Sequence, residues 1–133
     1  MKPKISIITL GVEDLTRARK FYEEGLGLVP MSYSSESIAF YDMNGVVLSL
    51  YPKDALAEDV TISQQGSGFS GVTIAHNEPS KEKVDEMIEE ARAAGATIVK
   101  ESRDVFWGGY SGYFQDLDGH LWEVAYNPYM DLT

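Results

Sequence analysis

The sequence predicts an α+β fold: two strand–helix–three-strand units in one chain, forming a curved mixed sheet around a cleft, with the helices on the outer face. Three observations carry this. Ile8-Thr9-Leu10 and Val72-Thr73-Ile74 are matching β-branched, apolar runs, the composition that strands favour. Each is followed by a stretch with apolar residues at helical spacing. Each half then ends on a turn dipeptide, Asn44-Gly45 or Asp118-Gly119, between strand-like runs. An internal repeat of this kind organises the whole reading.

The elements follow in order. After the first strand, Asp14 is a candidate helix cap, and Leu15, Ala18, Tyr22 and Leu26 fall on one side of the helix it opens. Gly27 closes that helix. A strand follows, and then the run Phe40 to Leu50, which lies over Phe114 to Val124 in the second half. The first unit is placed at about 4–52 and the second at about 69–127. Between them, residues 53–68 are polar and end in Gln64-Gln65-Gly66-Ser67-Gly68, which predicts a flexible linker. The second helix starts near Ser80, carries Val84, Met87, Ile88 and Ala91 on one face, and closes at Gly95. The second unit also has an insertion, Ser102 to Gly109, which carries Phe106, Trp107, Gly108 and Gly109. A unit of about 50 residues is marginal alone. Residues 1–133 are therefore expected to form a single domain in which the two units pair.

Composition narrows the function. The chain has 133 residues, 44% hydrophobic and 24% charged, an ordinary globular mix that excludes wholesale disorder. It contains no cysteine, which excludes a disulfide framework, a thiolate metal site and a cysteine nucleophile. No apolar run approaches the roughly 20 residues of a membrane span. The start, Met1 to Ile8, is too short for a signal peptide, so a soluble, cytoplasmic protein is expected. The formal charge of −10 repels nucleic acid and favours cationic small molecules. Its simpler reading is a surface that keeps the protein in solution.

Thr9-Leu10-Gly11-Val12-Glu13-Asp14-Leu15, Phe21-Tyr22-Glu23-Glu24-Gly25-Leu26-Gly27 and Asp116-Leu117-Asp118-Gly119-His120-Leu121-Trp122-Glu123, in this order and over roughly 4–128, resemble the vicinal oxygen chelate superfamily. That superfamily includes glyoxalase I, bleomycin-resistance proteins, fosfomycin-resistance enzymes and extradiol dioxygenases. The resemblance implies four metal-ligand positions, at Ile7, Gly71, Ser49 and Glu123. Only Glu123 is a strong donor, and a divalent ion needs three or four converging oxygen or nitrogen donors. His76 and His120 are expected on the opposite strand faces. No metal and no other cofactor are expected.

Strand alternation then assigns an inner face. In the first unit it gathers Ile7, Thr9, Ile38, Phe40, Val47, Ser49 and Tyr51. In the second it gathers Gly71, Thr73, Tyr110, Phe114 and Glu123, with Gly112 opposite Glu123 and Tyr110 opposite Ala125. Tyr113 and Trp122 should point outward into the helix-packed core. Trp107 is either a lid over the cleft or a plug at the sheet edge. Glu123 is either a functional carboxylate or one satisfied by a neighbouring strand or tyrosine. The lining is apolar and aromatic with a few polar points, as in a small-molecule pocket.

Two functions of different class follow. One is a binding protein resembling the bleomycin-resistance branch, enclosing an apolar, aromatic or cationic ligand without a metal. Its binding set is Ile7, Thr9, Phe40, Ser49, Tyr51, Gly71, Thr73, Trp107, Tyr110, Phe114 and Glu123. The other is an enzyme of the same superfamily, a lyase, isomerase or dioxygenase-like protein with Glu123 as catalytic base or with an atypical metal. The resemblance also implies a homodimer. No phosphate loop, nucleophile elbow or basic run is visible.

Overall fold

The computed structural model describes residues 1–70 and 72–133. They form two compact units, Met1–Ser67 and Gly68–Thr133.

The first unit opens with β1 (Ile7–Val12) and α1 (Leu15–Lys20), which widens into a π-helical turn at Phe21–Gly25. Then come β2 (Ala39–Asp42), β3 (Val47–Pro52) and α2 (Lys53–Val60). Asp14 caps α1 as expected, accepting from the Arg17 backbone N–H at 3.0 Å. The π turn, with Leu26 N–H bonded to Phe21 C=O, turns both Phe21 and Tyr22 inward, at 3% and 1% exposure. β3 lies in the middle of a three-stranded sheet, parallel to β1 and antiparallel to β2. The strand expected between the helix and β2 shrinks to one bridge, Pro30 to Tyr41. Leu10, Val12, Leu48 and Leu50 pack with Leu15, Ala18, Phe21 and Tyr22 to make this unit's core.

The second unit runs β4 (Ile74–Asn77), α3 (Lys81–Ala94), β5 (Thr97–Asp104), β6 (Tyr110–Gln115) and β7 (Leu121–Tyr126). Its sheet order is β4-β7-β6-β5, with β4 parallel to β7 and the other pairs antiparallel. Ser80 caps α3 through the Lys83 N–H, and Gly95 ends it at φ +107°. Val84, Ile88 and Ala91 form one buried stripe, and Phe114, Trp122 and Val124 are the buried sheet residues.

Two expectations need correcting. The segment 53–68 is not all linker, because its first eight residues form α2. Lys53, Ala55, Leu56 and Ala57 are good helix formers directly after Pro52, and Asp54 suits the first turn; the composition of the later glycine-rich end masked them. The second correction is one of register. The first hairpin closes on a two-residue turn with Asn44 and Gly45 both at positive φ, so Phe40 faces Ser49. The second closes on three residues, with Gly119 at φ +84° and the Asp116 carboxylate accepting from the Asp118 and His120 N–H groups. Tyr113 therefore faces Glu123, and Phe114 faces Trp122. The expected partners, Gly112 for Glu123 and Tyr110 for Ala125, are off by one residue. A slip of one residue sends every side chain to the other face.

Candidate functional site

On each sheet, the face turned away from the α1 or α3 core carries part of the candidate set: Ile7, Thr9, Phe40, Ser49 and Tyr51 on the first, Glu123 on the second. In the first unit they form rows across the strands. Thr9, Ser49 and Phe40 are in register, Ile7 pairs with Val47, and Gly11 pairs with Tyr51. Ile7 is 51% exposed. Phe40, Val47 and Tyr51 are half-buried, and Ile38 lies just before β2. Ser49 is 1% exposed, and among the described residues its Oγ has no hydrogen-bond partner. Gly11 admits α2 beside this face: a Cβ there would lie 3.3 Å from Lys53 Cα and 3.4 Å from a Leu56 methyl.

In the second unit Glu123 lies between Ala75 on β4 and Tyr113 on β6. Burial first, and then the charge and hydrogen bonding of Glu123, push the Tyr113 phenol above its ordinary value. The cross-strand register sets the carboxylate beside a tyrosine, the kind of neighbour that one of the two alternatives open in the sequence requires. Tyr113, expected to point outward, belongs on this face. Tyr110 and Phe114, expected beside Glu123, do not. Tyr110 donates to Asp85 of α3 at 2.8 Å, with the Lys81 ammonium 5.6 Å from its ring centroid. Phe114 is 2% exposed and stacks on Trp122 at 6.2 Å inside the helix-covered core. Trp122 lies in that core as expected.

Trp107 folds back on its own hairpin, where a Cβ on Gly109 would overlap its ring; a Cβ on Gly108 would overlap the Tyr129 hydroxyl. The two glycines therefore let two aromatic rings lie directly on the backbone. Thr73 is exposed and precedes β4, and Gly71 lies outside the described residues. Register pairs Thr9 with Ser49 and Ala75 with Glu123. By this measure Ala75, not Thr73, is the counterpart of Thr9. Sequence reasoning missed Ala75 and Tyr113. The signal for Tyr113 was Asp116 three residues before Gly119, a carboxylate placed to cap a longer turn.

The donor set does not fit a divalent metal. Ile7 offers no donor, Ser49 a neutral hydroxyl, and Glu123 a single carboxylate beside Tyr113. Among the described residues no three His, Cys, Asp or Glu side chains converge. His76 is in register with Val124, on the helix side of the sheet, and contacts Glu78 at 2.8 Å. Among the described residues no helix is long and apolar enough to cross a membrane.

Comparison with known proteins agrees with this architecture. The profile of the Glyoxalase/Bleomycin resistance protein/Dioxygenase superfamily matches residues 4–124. A glyoxalase-related enzyme from Fulvimarina pelagi is 36% identical, with a TM-score of 0.86 over 95% of this chain and 89% of that one. A lactoylglutathione lyase from Agrobacterium tumefaciens is 19% identical, with a TM-score of 0.74 over all of both chains. TioX from Micromonospora sp. ML1 is 24% identical, with a TM-score of 0.68 over 92% of this chain and 98% of that one. The last two likenesses bear on the fold alone.

Proposed function

This chain belongs to the glyoxalase/bleomycin resistance protein/dioxygenase superfamily, and on that premise we propose that it binds an apolar or aromatic small molecule bearing a cation or a hydrogen-bond donor, without a metal. The observation that carries the reading is the Glu123–Tyr113 pair, side by side on the sheet face that the α3 core does not use. The carboxylate attracts a positive or donating group, and the tyrosine ring supplies surface. Ala75 beside them leaves room for a flat ligand. On the first sheet, Thr9, Phe40, Ser49, Tyr51 and Ile7 form a separate, mainly uncharged binding surface, and Trp107 is a further aromatic surface. Tyr110 and Phe114 are left out of the set because α3 and Trp122 hold them. A donor bonded to a carboxylate contributes about 1.5–3 kcal/mol, and a cation over an aromatic ring about 0.5–2 kcal/mol.

The test is binding of a cationic aromatic probe, N-methylquinolinium, against the neutral 2-methylnaphthalene. Wild type should prefer the cation, and Glu123→Gln should lose that preference by about tenfold or more. Equal binding of both probes, unchanged by Glu123→Gln, removes the carboxylate from recognition.

The likeness to the Fulvimarina pelagi enzyme supports a second reading, in which Glu123 acts as general base on a bound substrate. Turnover of aldehyde–thiol adducts by the purified protein, abolished by Glu123→Gln, would favour it.

A further inference from the structure

We propose that Ser49 reads a neutral hydrogen-bond acceptor on the ligand, a carbonyl or ether oxygen. This rests on the small-molecule reading above. A buried hydroxyl without a partner is uncommon, because leaving it unpaired forfeits its bond to water. Ser49 is 1% exposed, and among the described residues its Oγ has no hydrogen-bond partner, its register neighbour Thr9 included.

The surroundings define what the hydroxyl can read. Its neighbours across the strands are Thr9 and Phe40, and the same face carries Ile7, Val47 and Tyr51. None of these bears a charge. Asp42, in register with Val47, and Lys53, beside Gly11, are charged but exposed and lie in the flanking rows, not in the Thr9–Ser49–Phe40 row; a charged ligand group at the buried Ser49 hydroxyl would be desolvated at high cost. A carbonyl or ether oxygen loses far less on leaving water and accepts the Ser49 O–H directly. The superfamily's implied metal position has thus become a neutral hydrogen-bond position.

Two measurements test this on the full chain. The first compares acetophenone with ethylbenzene, which differ by one carbonyl oxygen. Wild type should prefer the ketone by about fivefold, the ordinary worth of one neutral hydrogen bond. Ser49→Ala should abolish that preference, and Glu123→Gln should leave it intact. The second is the urea midpoint of the free protein, which Ser49→Ala should leave unchanged or raise, since no protein hydrogen bond is lost. An equal ketone preference in wild type and Ser49→Ala overturns the proposal, as does failure of wild type to bind either probe. A lowered midpoint overturns it too, by showing that the hydroxyl has a partner in the free protein. If wild type shows no ketone preference while cationic probes still follow Glu123, the Ser49 proposal fails and the parent reading survives.

Discussion

Tyr41 carries its phenol into the core of the first unit at 1% exposure, and donates to a Glu23 carboxylate oxygen 2.9 Å away. The same carboxylate receives Arg19 at 2.5 Å, and Arg19 also reaches the Ser35 carbonyl at 3.0 Å. The Arg19 hydrogen bond holds the Glu23 carboxyl below its ordinary value. Burial first, and Glu23 second, push the Tyr41 phenol well above its own. The folded state therefore keeps the Tyr41 proton at a pH where the unfolded chain has released it. Stability is full below the ordinary value of 10.0 and falls as pH rises above it. Glu23 works at the other end. Its share is present above the ordinary value of 4.5 and is lost as pH falls through the lower folded value. Tyr41→Phe should cost about 1–2 kcal/mol near neutral pH, because Arg19 remains to satisfy Glu23. It should also flatten the alkaline limb of a plot of urea midpoint against pH, leaving the part due to the other groups raised on folding, among them Tyr110, Tyr113, Lys81 and Lys83. An alkaline limb as steep as in wild type would mean that Tyr41 releases its proton equally in both states.

At the scale of elements, the two hairpins separate what was legible in the sequence from what was not. Asn44-Gly45 announces a two-residue turn with both residues at positive φ, as the structure has it, and so the row Thr9–Ser49–Phe40 could be counted out correctly. Asp118-Gly119 carries the same signal, but Asp116 captures two backbone N–H groups and draws Leu117 into a longer connection. That bonding depends on a side chain 4% exposed, and local turn preference does not disclose it. The cost was one residue of register, which exchanged Phe114 for Tyr113 beside Glu123. Both helices were legible, since Asp14, Ser80 and Gly95 are strong stop and start signals; α2 was hidden because its packing partner, Gly11 on β1, lies about forty residues away. Gly112 has a comparable tertiary reason. The β5–β6 pairing shifts register between Lys100 and Arg103, and a Cβ on Gly112 would lie 2.9 Å from the Lys100 oxygen and the Ser102 nitrogen. Those are backbone atoms, which cannot rotate away. Gly112→Ala should therefore destabilise by about 1–3 kcal/mol, as overpacking does, and weaken the Ser102 hydroxyl bond to Asp85. Chemical denaturation measures the first. A cost near zero would show that this irregular stretch of β5 yields freely.

At the scale of the whole molecule, charge and exposed apolar side chains act against each other. The chain carries −10 at neutral pH, so copies of it repel at long range. It also exposes large apolar side chains, among them Ile5 at 65%, Ile62 at 69%, Phe69 at 71% and Val72 at 61%. Exposed apolar side chains gain by being covered when copies associate, and closed two-fold dimers are the commonest outcome. Repulsion between two such acidic chains is screened over about 10 Å at 0.1 M salt and over about 30 Å at 0.01 M. Apolar contact is not weakened by modest salt. Self-association should therefore strengthen as salt is added, the reverse of what complementary charged surfaces would give. Sedimentation equilibrium at micromolar concentration should find twice the chain mass of 14.8 kDa at 0.15 M salt, and partial dissociation at 0.01 M. A mass of one chain at both salt levels would show that the exposed apolar residues do not pair copies. A dimer that loosens as salt rises would show instead that ion pairs hold it.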